Sequence, residues 1–153
     1  MNDTIALHAR VLGTSDRPHL VILHGLLGTS DNWQTLGRAY AETHCVHLID
    51  QRNHGRSAHH EEHTYASMAR DLERYCTENN LKKASIMGHS MGGKTALAFA
   101  DAFPDRVEKL IIADIASHTY SPHHQSIFDA IQSAPIAGHS DRSKLQHPLP
   151  DQL

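Results

Sequence analysis

A serine becomes a useful nucleophile only where its hydroxyl stands clear of the chain and donors meet the charge it creates. The run Ala84-Ser85-Ile86-Met87-Gly88-His89-Ser90-Met91-Gly92-Gly93 provides for both. A short apolar stretch ends in Gly-x-Ser-x-Gly, and a helix-forming stretch, residues 94–102, follows at once. That is the order of a nucleophile elbow: strand, tight turn carrying the serine, helix. Gly88 and Gly92 flank the turn where the backbone folds too closely for side chains, and Gly93 lets the helix start pack near its neighbours. Ser90 is therefore the candidate nucleophile. It sits above a helix N-terminus whose N–H groups favour developing negative charge.

A second chemistry overlaps the first. Residues 88–95 read G-H-S-M-G-G-K-T, which fits the phosphate-cradling pattern G-x-x-x-x-G-K-[ST]. The apolar run before Asp114 also resembles the strand that holds magnesium in such NTPases. Residues upstream separate the two. A phosphate loop normally follows an early strand, whereas several strand–helix units precede this one. In addition, His24-Gly25-Leu26-Leu27-Gly28 directly follows an apolar run. A serine hydrolase places there a loop that donates one oxyanion-hole N–H, and the residue after the nucleophile donates the other. Those positions are Leu26 and Met91, and both act through the backbone.

The elements that must position these residues follow from periodicity. Residues 5–12 alternate and predict an antiparallel edge strand. Residues 13–18 are a turn, and 19–23 form a continuous apolar run, as in a strand buried on both faces of a parallel sheet. Asp31-Asn32-Trp33 opens a helix reaching about Glu42. Residues 45–49 are another buried strand, closing on Asp50-Gln51-Arg52-Asn53-His54-Gly55-Arg56-Ser57. Tyr65, Met68, Ala69, Leu72, Tyr75 and Cys76 fall at helical spacing, predicting a helix over 64–79. The elbow helix runs to about Phe103, Pro104 breaks it, and 107–113 make a last strand. This alternation predicts an α/β fold: a mostly parallel sheet with helices on both faces. After Ile115 the texture changes: 117–124 are polar, 125–133 read as a short helix, and 134–151 are rich in turn residues.

Composition narrows the function classes. The 153 residues suit one domain, and a net charge of −3 leaves no basic footprint for nucleic acid. No apolar run approaches a membrane span and no signal peptide is visible, so the expectation is a soluble cytoplasmic protein. Cys45 and Cys76 read as small core hydrophobes rather than a disulfide. Fifteen histidines invite a metal reading. However, the densest cluster, His59-His60-Glu61-Glu62-His63, lacks zinc-hydrolase spacing and reads as a solvated loop, as does His123-His124. No metal and no cofactor is predicted.

The H-G-x-x-G loop, the D-Q-R-N-H-G-R-S stretch, the G-H-S-M-G-G-K run and Asp114-Ile115-Ala116 stand in order. Together they resemble the α/β-hydrolase superfamily, most closely its bacterial YbfF-type acyl esterases and thioesterases, over about residues 5–135. The resemblance implies a small-molecule acyl ester or thioester as substrate, and an acyl-enzyme on Ser90. It implies that Asp114, at a strand's C-terminal edge, orients a histidine; the alternative is that Asp114 caps a turn. His24, Gly25 and His89 are read as structural, residues 50–57 as support beneath the site, and Trp33 as pocket lining or core. Residues 1–116 would be the N-terminal part of the hydrolase core and 117–153 the start of a cap.

The fold's chain order is nucleophile, acid, histidine. His118, His123, His124, His139 and His147 follow Asp114 but follow no strand, so the catalytic histidine is expected outside this chain. These 153 residues alone are then expected to show little activity and an exposed apolar sheet edge. The other function class is a binding protein that keeps the fold without the chemistry. Acyl length, leaving group and oligomeric state are not legible.

Overall fold

The computed structural model describes residues 4–115 and residue 129, and the strands and helices named below lie in the first of the chain's two units, Met1–Ser117. In chain order come β1 (Ala9–Leu12), β2 (His19–Leu23) and a 3₁₀ turn (Ser30–Trp33) running into α1 (Gln34–Tyr40). Then follow β3 (Cys45–Ile49), α2 (Tyr65–Glu78), β4 (Ala84–His89), α3 (Met91–Ala102), a 3₁₀ turn (Pro104–Arg106) and β5 (Val107–Ala113). The expectations for residues 117–151 lie outside the described residues, apart from Asp129.

The strands form one sheet in the order β1-β3-β2-β4-β5. β1 pairs antiparallel with β3 at one edge, and every other pairing is parallel. Continuous apolar runs require cover on both faces, and both faces are covered. On one, Val21, Leu23, Ile49 and Ile86 pack with Leu72 and Tyr75 of α2 and Phe99 of α3. On the other, Leu20, Ile22, Val46 and Leu48 meet Trp33, Tyr40 and Ala41 at α1. Each such fully buried aliphatic contributes about 1.5–3 kcal/mol relative to exposure.

Local signals explain the helix limits. Thr64 caps α2: its hydroxyl accepts from Ser67 N–H, and Ser67 Oγ accepts from Thr64 N–H, each at 3.1 Å. Residue Asn80, at φ 57°, ends the helix. The first helix stops at Tyr40, short of the expected Glu42, because the Glu42 and Thr43 N–H groups turn back to Ala39 and Tyr40 in a tightened last turn. At the other edge β5 leaves Leu110 37% and Ile111 41% exposed, the apolar edge expected from the sequence.

Candidate active site

Ser90 lies between the last residue of β4 and the first of α3, at φ 51° and ψ −115°. That conformation is hostile to an L-residue, and its neighbours hold it. The Ser90 N–H donates to the Ala113 carbonyl at 3.0 Å, while the Ser90 carbonyl accepts from Gly93 and Lys94. A methyl at Gly88 would collide with the Gly92 carbonyl, and one at Gly92 with the Leu23 carbonyl. Both glycines are therefore required by close approach, as the spacing predicted. Ser90 is half-buried, and among the described residues nothing hydrogen-bonds its hydroxyl. Met91 is the first residue of α3, so its N–H has no intrahelical acceptor.

The phosphate-cradling alternative does not match this geometry. Its loop residues Met91, Gly92 and Gly93 are already helical. Thr95, which would have to reach a metal ion, is 1% exposed and donates to the Met91 carbonyl at 3.2 Å.

The loop after β2 is held by two histidines. His24 Nε2 accepts from the Gln51 N–H at 3.1 Å, which puts its proton on Nδ1, donating to the Gly25 carbonyl at 2.8 Å. Burial pushes the His24 pKa down, with a smaller push from His54, and keeps the ring neutral. His54 Nδ1 donates to the Arg52 carbonyl at 2.9 Å, leaving Nε2 to accept the Leu27 N–H at 3.2 Å. Leu27 itself is at φ 60°. Gly25 closes the gap to the elbow: a methyl there would stand 3.0 Å from His89 Nδ1 and 3.4 Å from Ser90 Cβ. A cavity of about 470 Å³ opens beside it, lined by Leu26, Leu27, Trp33, Leu36 and His89 among others.

Residues 50–57 brace this loop from below. Asp50 accepts from the N–H groups of Ser30 at 2.6 Å and Arg56 at 3.0 Å. Burial alone would raise its pKa; those donors outweigh it and hold the carboxyl below its ordinary value. Arg52 is wholly buried in a two-pronged pair with Asp71, at 2.6 and 2.8 Å. A third guanidinium nitrogen donates to the Glu62 carbonyl, so the histidine-rich loop of residues 59–63 is anchored even though His59, Glu61 and His63 face solvent.

Asp114 directly follows β5 at φ 55°, its side chain 87% exposed. Its Oδ2 stands 3.6 Å from His89 Nε2, and the His89 ring lies 6.1 Å from that of Trp33. Ser90, Met91, His89 and Asp114 are thus gathered at the C-terminal edge of the sheet, with the Leu26 loop facing them. His54 holds the Leu27 N–H of this loop, a contact that the sequence pattern does not single out from the general support of residues 50–57. The available signal is a histidine in the loop after a parallel strand, on the edge where ligands bind.

These features have a known family context: the α/β-hydrolase fold family matches residues 18–136. The chain belongs to that family. It is 38% identical over 115 residues to esterase YbfF of Escherichia coli, matching 74% of this chain and 45% of that protein. To the sn-1-specific diacylglycerol lipase ABHD11 of Mus musculus it is 37% identical over 125 residues, 80% of this chain and 41% of the lipase. A marine microorganism esterase of known structure superposes with a TM-score of 0.88 at 43% identity, covering 93% of this chain and 56% of that one. This α/β-hydrolase chain thus spans about half the length of the curated relatives it matches. Among the described residues, no helix is long and apolar enough to cross a membrane.

Proposed function

We propose that this α/β-hydrolase chain carries the nucleophile of a serine hydrolase acting on small carboxylic esters or thioesters. The observation that carries the reading is the backbone of Ser90: a serine at positive φ, between a buried strand and a helix N-terminus. Such strain persists only where the surroundings over-determine it, and it concentrates at working sites. In the proposed reaction Ser90 Oγ attacks the acyl carbonyl, and the Leu26 and Met91 N–H groups receive the oxyanion. The tetrahedral intermediate expels an alcohol or thiol, and water then releases the acid from Ser90. Asp114 orients the histidine that takes and returns the proton, and that base lies outside the described residues. His24 and His89 support the loop and the turn. Residues 1–116 are then hydrolase core and 117–153 the start of a cap. The esterase and lipase names of the relatives support the ester class; the apolar cavity walls support an acyl chain.

The test is labelling by a fluorophosphonate probe. It compares this chain, its Ser90→Ala variant and a version extended by the segment its relatives carry. Ser90-dependent labelling and ester hydrolysis by the extended version are expected. Hydrolysis that survives Ser90→Ala would refute the assignment.

A further inference from the structure

The N-terminal ends of β2 and β3, at the opposite edge of the sheet from Ser90, gather side chains that ester hydrolysis does not use. His19 opens β2 and Cys45 opens β3, and the parallel register sets them side by side. His47, two residues after Cys45, falls on the same face. His19 Nδ1 lies 3.0 Å from His47 Nε2, and Cys45 Sγ lies 3.6 Å from that same nitrogen. All three atoms are within 4.8 Å of one another. Tetrahedral zinc, with bonds of about 2.0–2.1 Å to nitrogen and about 2.3 Å to sulfur, separates its ligand atoms by about 3.3–3.7 Å. The two shorter separations here already come close to that spacing.

We propose that His19 Nδ1, Cys45 Sγ and His47 Nε2 form a zinc-binding site that ties the start of β2 to the start of β3. Two further observations support it. The surroundings are dry: Cys45 is 2% and His47 4% exposed. Tyr75 places its hydroxyl 2.8 Å from His47 Nδ1. With an ion on Nε2, the proton on Nδ1 donates to that oxygen, the outer partner that metal-bound histidines normally have.

Without an ion, His19 and Cys45 share the one proton or lone pair on His47 Nε2. An ion satisfies all three at once. Binding converts the Cys45 thiol to thiolate, with its proton leaving to solvent and no change of oxidation state. A water would fill the fourth position. Asp16, exposed in the turn that leads into β2, adds negative charge at this end of the sheet. Four residues of strand, about 13 Å, separate this edge from the catalytic one, so the ion would clamp the sheet and take no part in acyl transfer. Local sequence pattern offers no reason to expect a metal, because the three ligands meet only through strand register.

Cobalt(II) is the probe, added to the chelator-treated chain and followed by absorption. One equivalent should produce a thiolate-to-cobalt charge-transfer band with tetrahedral visible bands, and zinc should displace it. In Cys45→Ser the charge-transfer band should vanish. Absence of the band in the parent chain, or its survival in Cys45→Ser, overturns the proposal. His19→Ala provides a second arm, since His19 is only partly buried and its loss should leave the fold intact. It should weaken zinc binding at least tenfold by calorimetry; unchanged affinity also overturns the proposal. Replacing His60 and His63 together should leave zinc affinity unchanged, and a loss there would assign the ion to the surface loop instead.

Discussion

Gly92→Ala sets two effects of opposite sign against each other. Gly92 is in the first turn of α3, where alanine is intrinsically favoured over glycine by at most about 0.8–1.0 kcal/mol, the helix-interior value. Propensity therefore predicts a more stable chain. Packing predicts the reverse. The added methyl would collide with the Leu23 carbonyl and come within 2.6 Å of the His24 carbonyl. Carbon and oxygen need over 3 Å, and both obstacles are backbone, so α3 and the end of β2 must part by roughly 1 Å. Overpacking of this kind costs about 1–3 kcal/mol, occasionally more. Moving the His24 carbonyl also stretches its 2.6 Å bond from Gln51 Nε2, adding about 1 kcal/mol. The net expectation is a loss of roughly 1–3 kcal/mol. The same shift moves the Leu26 loop away from Ser90, and a misplacement of about 1 Å can cost on the order of a hundredfold in rate. Urea unfolding gives the first quantity and ester turnover of the extended protein the second. A variant that is more stable and equally active would refute the close-approach argument for the whole turn.

Three other expectations can be checked in parallel. Asp71→Asn removes the carboxylate that faces the buried Arg52 guanidinium and should cost about 3–5 kcal/mol by urea unfolding; a loss under about 1 kcal/mol would mean that water reaches the pair. His54→Phe keeps the bulk but removes the acceptor for the Leu27 N–H, so kcat should fall at least tenfold with KM little changed. A change in KM alone would deny the loop-positioning role. Lastly, His24 and Asp50 both have folded pKa values below their ordinary 6.5 and 3.8. Below each ordinary value the unfolded chain binds a proton that the folded chain refuses. Stability should therefore be full above pH 6.5, decline as His24 is titrated on acidification, and decline again below pH 3.8 through Asp50. A urea midpoint that holds steady or rises between about pH 7.5 and 5 would contradict the buried neutral state of His24.

Legibility in the sequence follows the range of the interactions. The strands at residues 19–23 and 45–49 are readable to the residue because mostly apolar runs between polar turns admit little else, and 107–113 is readable because Pro104 ends the helix before it and Leu110-Ile111-Ile112-Ala113 is apolar. The elbow is readable because a glycine–serine–glycine turn states its own steric demand. The support beneath it is not. Asp71 sits on the buried face of α2 among Met68, Leu72 and Tyr75, and only the fold brings Arg52, nineteen residues earlier, to meet it. His54 looks like one histidine among fifteen; what distinguishes it is a backbone N–H from Leu27, which no local pattern encodes. The His19, Cys45 and His47 cluster is hidden for the same reason, since register across two strands decides it. Cys45 does prove buried, as its apolar setting suggests, but beside two imidazoles rather than among methyl groups alone.

Backbone strain is distributed with a clear polarity. Among the described non-glycine residues with positive φ, Leu27 follows β2, Asn53 follows β3, Ser90 follows β4 and Asp114 follows β5. Every parallel strand thus ends in one such residue within four positions, all on the edge that carries the candidate site; Asn80, at the end of α2, is the exception. Such conformations cost about 1–3 kcal/mol each, least for asparagine. Leu27 is the instructive case, since it is strained, apolar and 68% exposed, so neither propensity nor burial explains it. Its place on the cavity wall does. Leu27→Asn suits the left-handed backbone and should stabilise the chain by up to about 1 kcal/mol. It should also raise KM for esters of longer acyl chains while sparing acetyl esters. Were stability to rise with no change in acyl-chain preference, the strain at Leu27 would have no part in binding, and the apolar cavity would lose its reading as the acyl site.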